Sequence, residues 1–411
     1  MRILLIHNYY GSSAPSGENK VFETEKTMLE KHGHEVEVYT RHSDEIRGTG
    51  NGKWGTARRI LGMVKGALCT IGNPVAARVV AKKCREFKPD VVHFHNTFPL
   101  ISPLAVRAAS KYAPVVMTLH NYRTACAAGV PTRGGKVCSL CLDKKCVWDG
   151  IKHRCDRGSL LATLPIAINI AIYRKLLPRW VKRFIVLSEF QKRKMVEYGW
   201  QEGKIALKGN FISRVERVEY VEKKNQIIYV GRLSKEKGVD VLIKAFKFLN
   251  GQVDQEEKST CSTWLKNLKL VIVGDGVDRQ ELEKQAEGLP IYFLGQKNPD
   301  VVRELLAESK VSALPSEWWE TFGLTVIESM FEGTPVVVSN LGALPEIVRV
   351  SQSGEVFEAG NAEACASAIE RLINRPDYDE ICAAVKHEAE TKYSEEANYE
   401  QLTKIYDEVV R

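Results

Sequence analysis

The sequence predicts an α/β protein made of two consecutive Rossmann-like, doubly wound domains. Its 411 residues exceed what one hydrophobic core usually supports. Short Val-, Ile- and Phe-rich runs alternate with helix-length stretches, and the rhythm starts afresh after Gly209-Asn210. These runs show little polar alternation, as strands covered on both faces of a parallel sheet do.

Taken in order, the first series predicts strands at Ile3–His7, Glu35–Thr40, Val91–His95, Val115–Leu119 and Phe184–Leu187, with helices at Glu18–His32 and Pro103–Lys111. The second predicts strands at Ile227–Val230, Leu268–Val273, Ile291–Leu294, Val311–Leu314 and Val336–Ser339. Helices at Val239–Phe246, Arg279–Glu287 and Leu324–Phe331 fit between them. The polar segment Gly251–Ser262 reads as a surface insertion. Ser394, followed by Glu395-Glu396, caps a closing helix. The division expected is 1–205, 206–390 and a final helix over 391–411. Two such domains would enclose a cleft at the C-terminal edges of their sheets, where open α/β sheets bind ligands.

The net charge of +8 hides an asymmetry. Residues 1–200 hold 33 Lys and Arg against 15 Asp and Glu, while the remainder holds 26 against 36. Between Ile46 and Arg85 there are nine basic residues and no acidic one. Such a half is drawn to anionic surfaces or substrates. No nucleic-acid module is recognisable, so nucleic acid is not the expected partner. The apolar stretch LLATLPIAINIAIY (160–173) runs into RKLLPRWVKR (174–183), which suits an interfacial element on an anionic membrane face. A buried helix with a solvated basic end fits equally well. No stretch reaches the ~18 apolar residues of a membrane span, and the opening ILLIH is too short for a secretory signal. A cytoplasmic protein, peripheral on the inner membrane at most, is expected, with its ten cysteines reduced.

Three motifs carry chemistry. In PSEWWETFGLTVIESMFEGTPVVVSN (315–340) a strand ends, a turn follows and a helix opens near Gly323. The first-turn amides of Phe322, Gly323 and Leu324 make an anion site, and Gly323 admits close approach to the main chain. Glu320 precedes the helix and Glu328 lies on it, each able to accept hydroxyl hydrogen bonds. In YVGRLSKEKGVDVLIKAF (229–246), Arg232 and Lys237 flank a loop that closes at Gly238. Two cations at a strand end suit a diphosphate. VIVGDG (271–276) adds a glycine turn at Gly274. Each motif alone is also compatible with an ordinary solvated loop.

Together, and in this order, they resemble the retaining glycosyltransferases of the GT-B fold, specifically glycosyltransferase family four. The likeness rests on the Glu320 and Glu328 pair, on GRLSKEKGVDVLIKA at 231–245 and on VGDG at 273–276. It extends through PSGENKVFETEKTMLEKHGHEVEVYT at 15–40 and DVVHFHN at 90–96. The resemblance implies that Arg232 and Lys237 clamp the donor diphosphate, that Glu320 contacts sugar hydroxyls and that Glu328 contacts the ribose. Backbone around Phe322–Leu324 would hold sugar and phosphate, Gly17 would approach the β-phosphate, and His120 would touch the donor sugar. Here Ser16-Gly17 stands where many members have two glycines. Base recognition is expected near Gly295. A loop histidine without such a role is the other reading of His120.

The expected activity is transfer of a sugar from a UDP- or GDP-sugar to a glycan acceptor, plausibly linked to a polyprenyl diphosphate, in surface polysaccharide assembly. Retention of configuration rests on the resemblance alone. A nucleotide-sugar 2-epimerase of the same fold and a non-catalytic sugar-nucleotide scaffold are the alternatives. No metal is expected to be required, because the cations are built in; Asp377 and Asp379 read as a helix cap.

One segment stands apart. Between His120 and Cys155 lie Cys126, Cys138, Cys141 and Cys155, with Cys138 and Cys141 at zinc-knuckle spacing. These four could hold a structural zinc ion, with Cys146 and His153 as spare ligands. Free thiols packed as small hydrophobes are the alternative.

Overall fold

The computed structural model describes residues 1–11, 16–46, 53–213, 221–251, 267–351 and 353–411. The insertion expected at Gly251–Ser262 lies, from 252 onward, outside the described residues, as does the loop 12–15 ahead of Ser16. The chain forms two compact units. One comprises 1–131, 138–213 and 398–411; the other comprises 132–137 and 214–397.

The first unit is built on a six-stranded, all-parallel sheet of β1 (Arg2–Tyr9), β2 (Glu35–His42), β3 (Val91–Asn96), β4 (Val115–Thr118), β7 (Arg183–Val186) and β8 (Ile205–Leu207). The spatial order is β2-β1-β3-β4-β7-β8. The second unit contains a short hairpin, β5 (Thr132–Arg133) and β6 (Lys136–Val137), which falls within the cysteine-rich stretch. Its main sheet comprises β9 (Lys224–Val230), β10 (Lys269–Val273), β11 (Ile291–Gly295), β12 (Ser309–Leu314), β13 (Val336–Ser339) and β14 (Gly354–Phe357). Their order, β11-β10-β9-β12-β13-β14, is that of a dinucleotide-binding fold, and the order reverses between β9 and β12.

Both sheets form for the reason their composition suggests. Ile3, Leu4, Leu5 and Ile6 are completely buried, as are Val336, Val337 and Val338. Strands apolar at consecutive positions must be covered on both faces, and helices supply that cover. β8, β14 and the hairpin were not expected from sequence. The closing helix, Glu395–Val410, belongs from Asn398 onward to the first unit. Tyr406 and Leu402 join that unit's core beside Ile3, Phe22 and Ile185.

Polar groups penetrate this core. Glu25, on the helix Gly17–Lys31, and Lys208, just after β8, are both buried and lie 2.9 Å apart. Lys208 Nζ also donates to Asn398 Oδ1 at 2.9 Å. Burial opposes the charge on Glu25, but Lys208 and then His95 and His93 outweigh it, holding the carboxyl well below its usual range. His93 is driven down to about 4 and His7 to about 3, each chiefly by burial.

These shifts set a pH dependence. Both histidines stay neutral in the folded unit to about pH 4 or below, whereas an unfolded histidine takes its proton near ~6.5. Below that value the unfolded chain binds more protons, so stability falls as pH falls. Amide-exchange protection of β1 and β3 is expected to drop steadily between pH 6.5 and pH 4; constant protection across that window would contradict the assignment.

Candidate functional site

The second unit gathers most of the expected residues at its order reversal. β9 ends at Val230 and leads through Gly231 to Arg232, while β12 ends at Leu314 and leads to Glu320. The two loops meet backbone to backbone. Gly238, with φ of +64°, has no room for a side chain, since a Cβ there would stand 2.0 Å from the Pro315 carbonyl oxygen. Glu317 N–H donates to the Glu236 carbonyl at 2.8 Å, tying the loops again.

Across this seam Lys237 Nζ donates to Glu320 Oε1 at 2.6 Å, and Ser316 Oγ donates to the same oxygen at 2.9 Å. Both bonds fall on Oε1, so Oε2 keeps its acceptor capacity. Lys237 also stands 5.3 Å from the centre of the Trp318 ring, an attractive position for a cation. Glu320 is buried, and its backbone is pinned by Gly342, where a Cβ would lie 2.4 Å from Glu320 N.

Arg232 is more loosely held. Its exposed guanidinium pairs with Glu236 at 2.8 Å and approaches Ser234 Oγ at 3.3 Å. An exposed pair of this kind contributes little to stability, so the guanidinium can exchange Glu236 for a better anion. Burial raises the Glu236 carboxyl, but Ser234, its own backbone amide, Arg232 and Lys237 together bring it below the usual value. The two expected clamp residues thus pair with different carboxylates, Arg232 with Glu236 and Lys237 with Glu320.

The helix Leu324–Phe331 begins as expected, with Gly323 at its N-cap in the left-handed region, φ +109°. A Cβ on Gly323 would press to 2.7 Å from Leu344 Cδ2. Phe322 is buried against Tyr393, and Glu328 is half-buried on the helix. Gly274 N–H donates to the Gly295 carbonyl at 2.9 Å. A Cβ on Gly274, φ +135°, would stand 1.9 Å from the Gly231 oxygen. Gly274, Gly295 and the β9 loop therefore form one glycine-lined rim.

The remaining expected residues lie in the first unit. Gly17 is the exposed first residue of its helix. His120 is buried just beyond β4, with Nε2 3.1 Å from His95 Nδ1. An open cavity adjoins it, between the ends of β3 and β4 and the helix Leu160–Tyr173. Phe98, Ile166 and Ile170 line its apolar side, and Asn96, Arg123 and Asn169 its polar side.

The four candidate cysteines share one neighbourhood, where Cys126, Cys155 and Cys138 all act on Cys141. Among the described residues no three cysteine sulfurs come within 4.8 Å of one another. Burial raises Cys126 to about 11 and Cys141 to about 12, with Cys126, Cys155 and Cys138 adding repulsion at Cys141. Cys138 and Cys155 are half-buried and Cys146 is exposed; His153 follows the short helix Trp148–Lys152. A tetrahedral ion would require this segment to draw inward. Asp377 stands at the N-cap position of the helix Tyr378–Lys392, with its carboxylate paired to Arg375 rather than to the helix.

Sequence reasoning missed Ser316, Trp318, Glu236 and Gly342. Their neighbours in the motifs were visible, but which side chain turns toward Glu320 depends on the chain crossing between β9 and β12.

Profiles of two families divide the chain between them. The one described as "Glycosyltransferase Family 4" matches residues 16–214, and "Glycosyl transferases group 1" matches 214–391. The chain is a glycosyltransferase of the family-four type. The sulfoquinovosyl transferase of Arabidopsis thaliana is 26% identical over 343 residues, covering 81% of this chain and 59% of that protein. A GDP-mannose-dependent alpha-(1-6)-phosphatidylinositol dimannoside mannosyltransferase of Mycobacterium tuberculosis is 38% identical over 152 residues, covering 37% of this chain and 36% of its own length. Both matched stretches fall short of two thirds of the relative's length. In fold, the family-four chain resembles the Anabaena protein HepE, crystallised with UDP. The TM-score is 0.63 at 18% identity, and 99% of this chain and 100% of that one are covered.

The glycine rim of this glycosyltransferase has no slack. Gly274→Ala is expected to destabilise the second unit by about 3 kcal/mol, measured by urea unfolding; a loss below about 1 kcal/mol would show that the loop relaxes freely.

Proposed function

We propose that this glycosyltransferase moves a sugar from a UDP- or GDP-sugar to a glycan acceptor carried on a polyprenyl diphosphate, retaining anomeric configuration, in surface polysaccharide assembly. The observation that carries the donor half is the Lys237–Glu320 pair at 2.6 Å, with Arg232 on the same loop.

The chemistry follows from charge. As the bond between the anomeric carbon and the diphosphate oxygen breaks, negative charge grows on the leaving diphosphate. Lys237, Arg232 and the first-turn amides of Phe322, Gly323 and Leu324 stabilise it. Fixed cations there do the work of a divalent ion, and we assign the reaction no metal requirement. Glu320, oriented through Oε1 by Lys237 and Ser316, accepts from sugar hydroxyls, and Glu328 accepts from the ribose. Gly274 and Gly295 admit the base and phosphates close to the main chain. Gly17 receives the β-phosphate and His120 the transferred sugar. The acceptor hydroxyl attacks from the leaving-group side within the ion pair.

The lipid-linked acceptor draws on the first unit's surface. The helix Lys53–Ile71 exposes Ile60, Leu61, Met63, Val64 and Leu68, and the helix Leu160–Tyr173, packed against it, exposes Leu160, Leu161, Leu164 and Ile172. Apolar side chains on a unit rich in Lys and Arg suit an anionic bilayer. The Mycobacterium relative is likewise named for a lipid acceptor, phosphatidylinositol dimannoside. Among the described residues no single helix is long and apolar enough to cross a membrane. In this reading the protein is peripheral on the cytoplasmic face of the inner membrane.

Two outcomes are expected. Lys237→Met should cut kcat/KM about 100-fold or more and weaken UDP or GDP binding far more than binding of the corresponding nucleoside; equal weakening of both would remove the diphosphate clamp. The protein should float with vesicles of anionic phospholipid at low salt. Leu61→Asp with Leu161→Asp should abolish flotation, and flotation unaffected by both salt and these substitutions would refute the docking face.

A further inference from the structure

The stretch of the first unit that carries the cysteines has little apolar packing to hold it. Its helices, Leu140–Asp143 and Trp148–Lys152, are short. To the neighbouring core cluster it contributes Ala127 and Val147, with Ile151 and Cys155 packed at the margin. Lys145, Arg154 and Arg157 nevertheless take left-handed backbone angles, φ between +50° and +54°. Side-chain-bearing residues stay in that region only where the surroundings enforce it. A segment so poor in core needs a cross-link.

Four cysteines are placed to supply one. Cys126 and Cys141 are buried, and Cys138 and Cys155 are half-buried. Gly150 is where three of them meet. Its N–H is directed at Cys141 Sγ, and its carbonyl accepts from Cys155 N–H at 3.0 Å. A Cβ on Gly150 would stand 3.7 Å from Cys141 Sγ and 3.3 Å from the Cβ of Ala127, the residue after Cys126. Cys138 stands one short turn before Cys141, with its N–H on the Pro131 carbonyl at 2.9 Å. Cys126, Cys155 and Cys138 all act electrostatically on Cys141.

The backbone is shaped to receive thiolates. Cys126–Gly129 is a tight turn, closed by Gly129 N–H on the Cys126 carbonyl at 3.0 Å, with Gly129 at φ +75°. The amides of Ala128 and Gly129 both point at Cys126 Sγ. A neutral thiol sulfur is a weak acceptor and gains little from two donors. A metal-bound thiolate carries negative charge and is oriented by such amides.

We propose that Cys126, Cys138, Cys141 and Cys155 bind one structural Zn²⁺ through four thiolates and so staple this segment. The four thiols give up their protons as the ion enters. Arg123, which acts on Cys126, and the inward amides offset the negative charge left on the site. Sulfurs around a tetrahedral zinc ion lie about 3.8 Å apart, whereas here no three come within 4.8 Å of one another. Rotation about the single χ1 torsion of a cysteine carries its sulfur roughly 3 Å without moving the backbone. Cys146 is exposed and stays outside the set.

The staple supports the wall of the cavity beside His120. Arg123 lines that cavity and lies 4.4 Å from the centre of the Phe98 ring. Its Nη1 donates to the Ala127 carbonyl at 2.8 Å and its Nη2 to the Ala128 carbonyl at 3.1 Å, both inside the Cys126 turn. Nη1 also reaches Asp156 Oδ1, next to Cys155, at 3.5 Å. Fixing the two cysteines therefore fixes Arg123.

Metal analysis of the full chain, purified under reducing conditions without chelator, tests this. About one equivalent of zinc per chain is expected, released by an organomercurial that caps thiols and retained in Cys146→Ser. Cys126→Ser combined with Cys141→Ser should lose the zinc and lower the melting temperature by several degrees. Should that variant not fold, the reduced wild-type chain loaded with Co²⁺ should show the intense visible absorption of a tetrahedral four-thiolate site. Less than about a tenth of an equivalent of zinc, both as purified and after incubating the reduced chain with zinc chloride, would overturn the proposal. So would iron in its place, the weak spectrum of octahedral Co²⁺, or zinc kept by a folded Cys126 and Cys141 double variant. Metal content is read without donor or acceptor, so the result is independent of the transfer activity.

Discussion

Lys237 and Glu320 hold each other 2.6 Å apart at the place where the second sheet reverses its strand order, and the donor chemistry depends on that contact. The reversal leaves β9 and β12 adjacent while their connections depart to opposite sides, opening a crevice at their C-terminal ends. Into that crevice one strand sends a cation and the other an acid. The pair is anchored from beneath by glycines at 238 and 342 that permit main chain to touch main chain, and from the side by Ser316 and Trp318. The half-buried ammonium is already oriented, so little rearrangement is left for the moment when a phosphate arrives. Arg232, exposed and weakly paired, is the adjustable member.

The first unit uses charge differently. Its carboxylate, ammonium and histidines are buried, and of these groups His120 and His95 line the cavity at the ends of β3 and β4. Lys208 and Asn398 join the closing helix to the end of β8, while Glu25 holds Lys208 from the other side.

Much of this was legible before folding was considered. Strands such as Val336–Ser339 and Val115–Thr118 are apolar at all but the last position, and each follows a proline that marks its start. β14 escaped because Gly354–Phe357 is short and carries a glutamate; the hairpin escaped because two-residue strands have no periodicity to read. In the site, Arg232, Lys237, Glu320 and the helix start at Leu324 were visible as motifs, since each motif is local. The contact between Lys237 and Glu320 spans 83 residues, and nothing local encodes it. Lys208 was invisible for the same reason: a lysine before Gly209-Asn210 reads as solvated until the fold buries it beside Glu25. The cysteine spacing suggested a tetrahedral set, and the fold brings Cys126, Cys138 and Cys155 within electrostatic reach of Cys141, which spacing alone did not fix.

A crystal structure of the chain with an intact UDP- or GDP-sugar tests the donor account most directly. The account predicts the β-phosphate within hydrogen-bonding distance of Lys237 Nζ and the Arg232 guanidinium, facing the first turn of the helix that begins at Leu324, with Glu236 released from Arg232. A diphosphate bound away from both cations, with the Arg232–Glu236 pair intact, would contradict it.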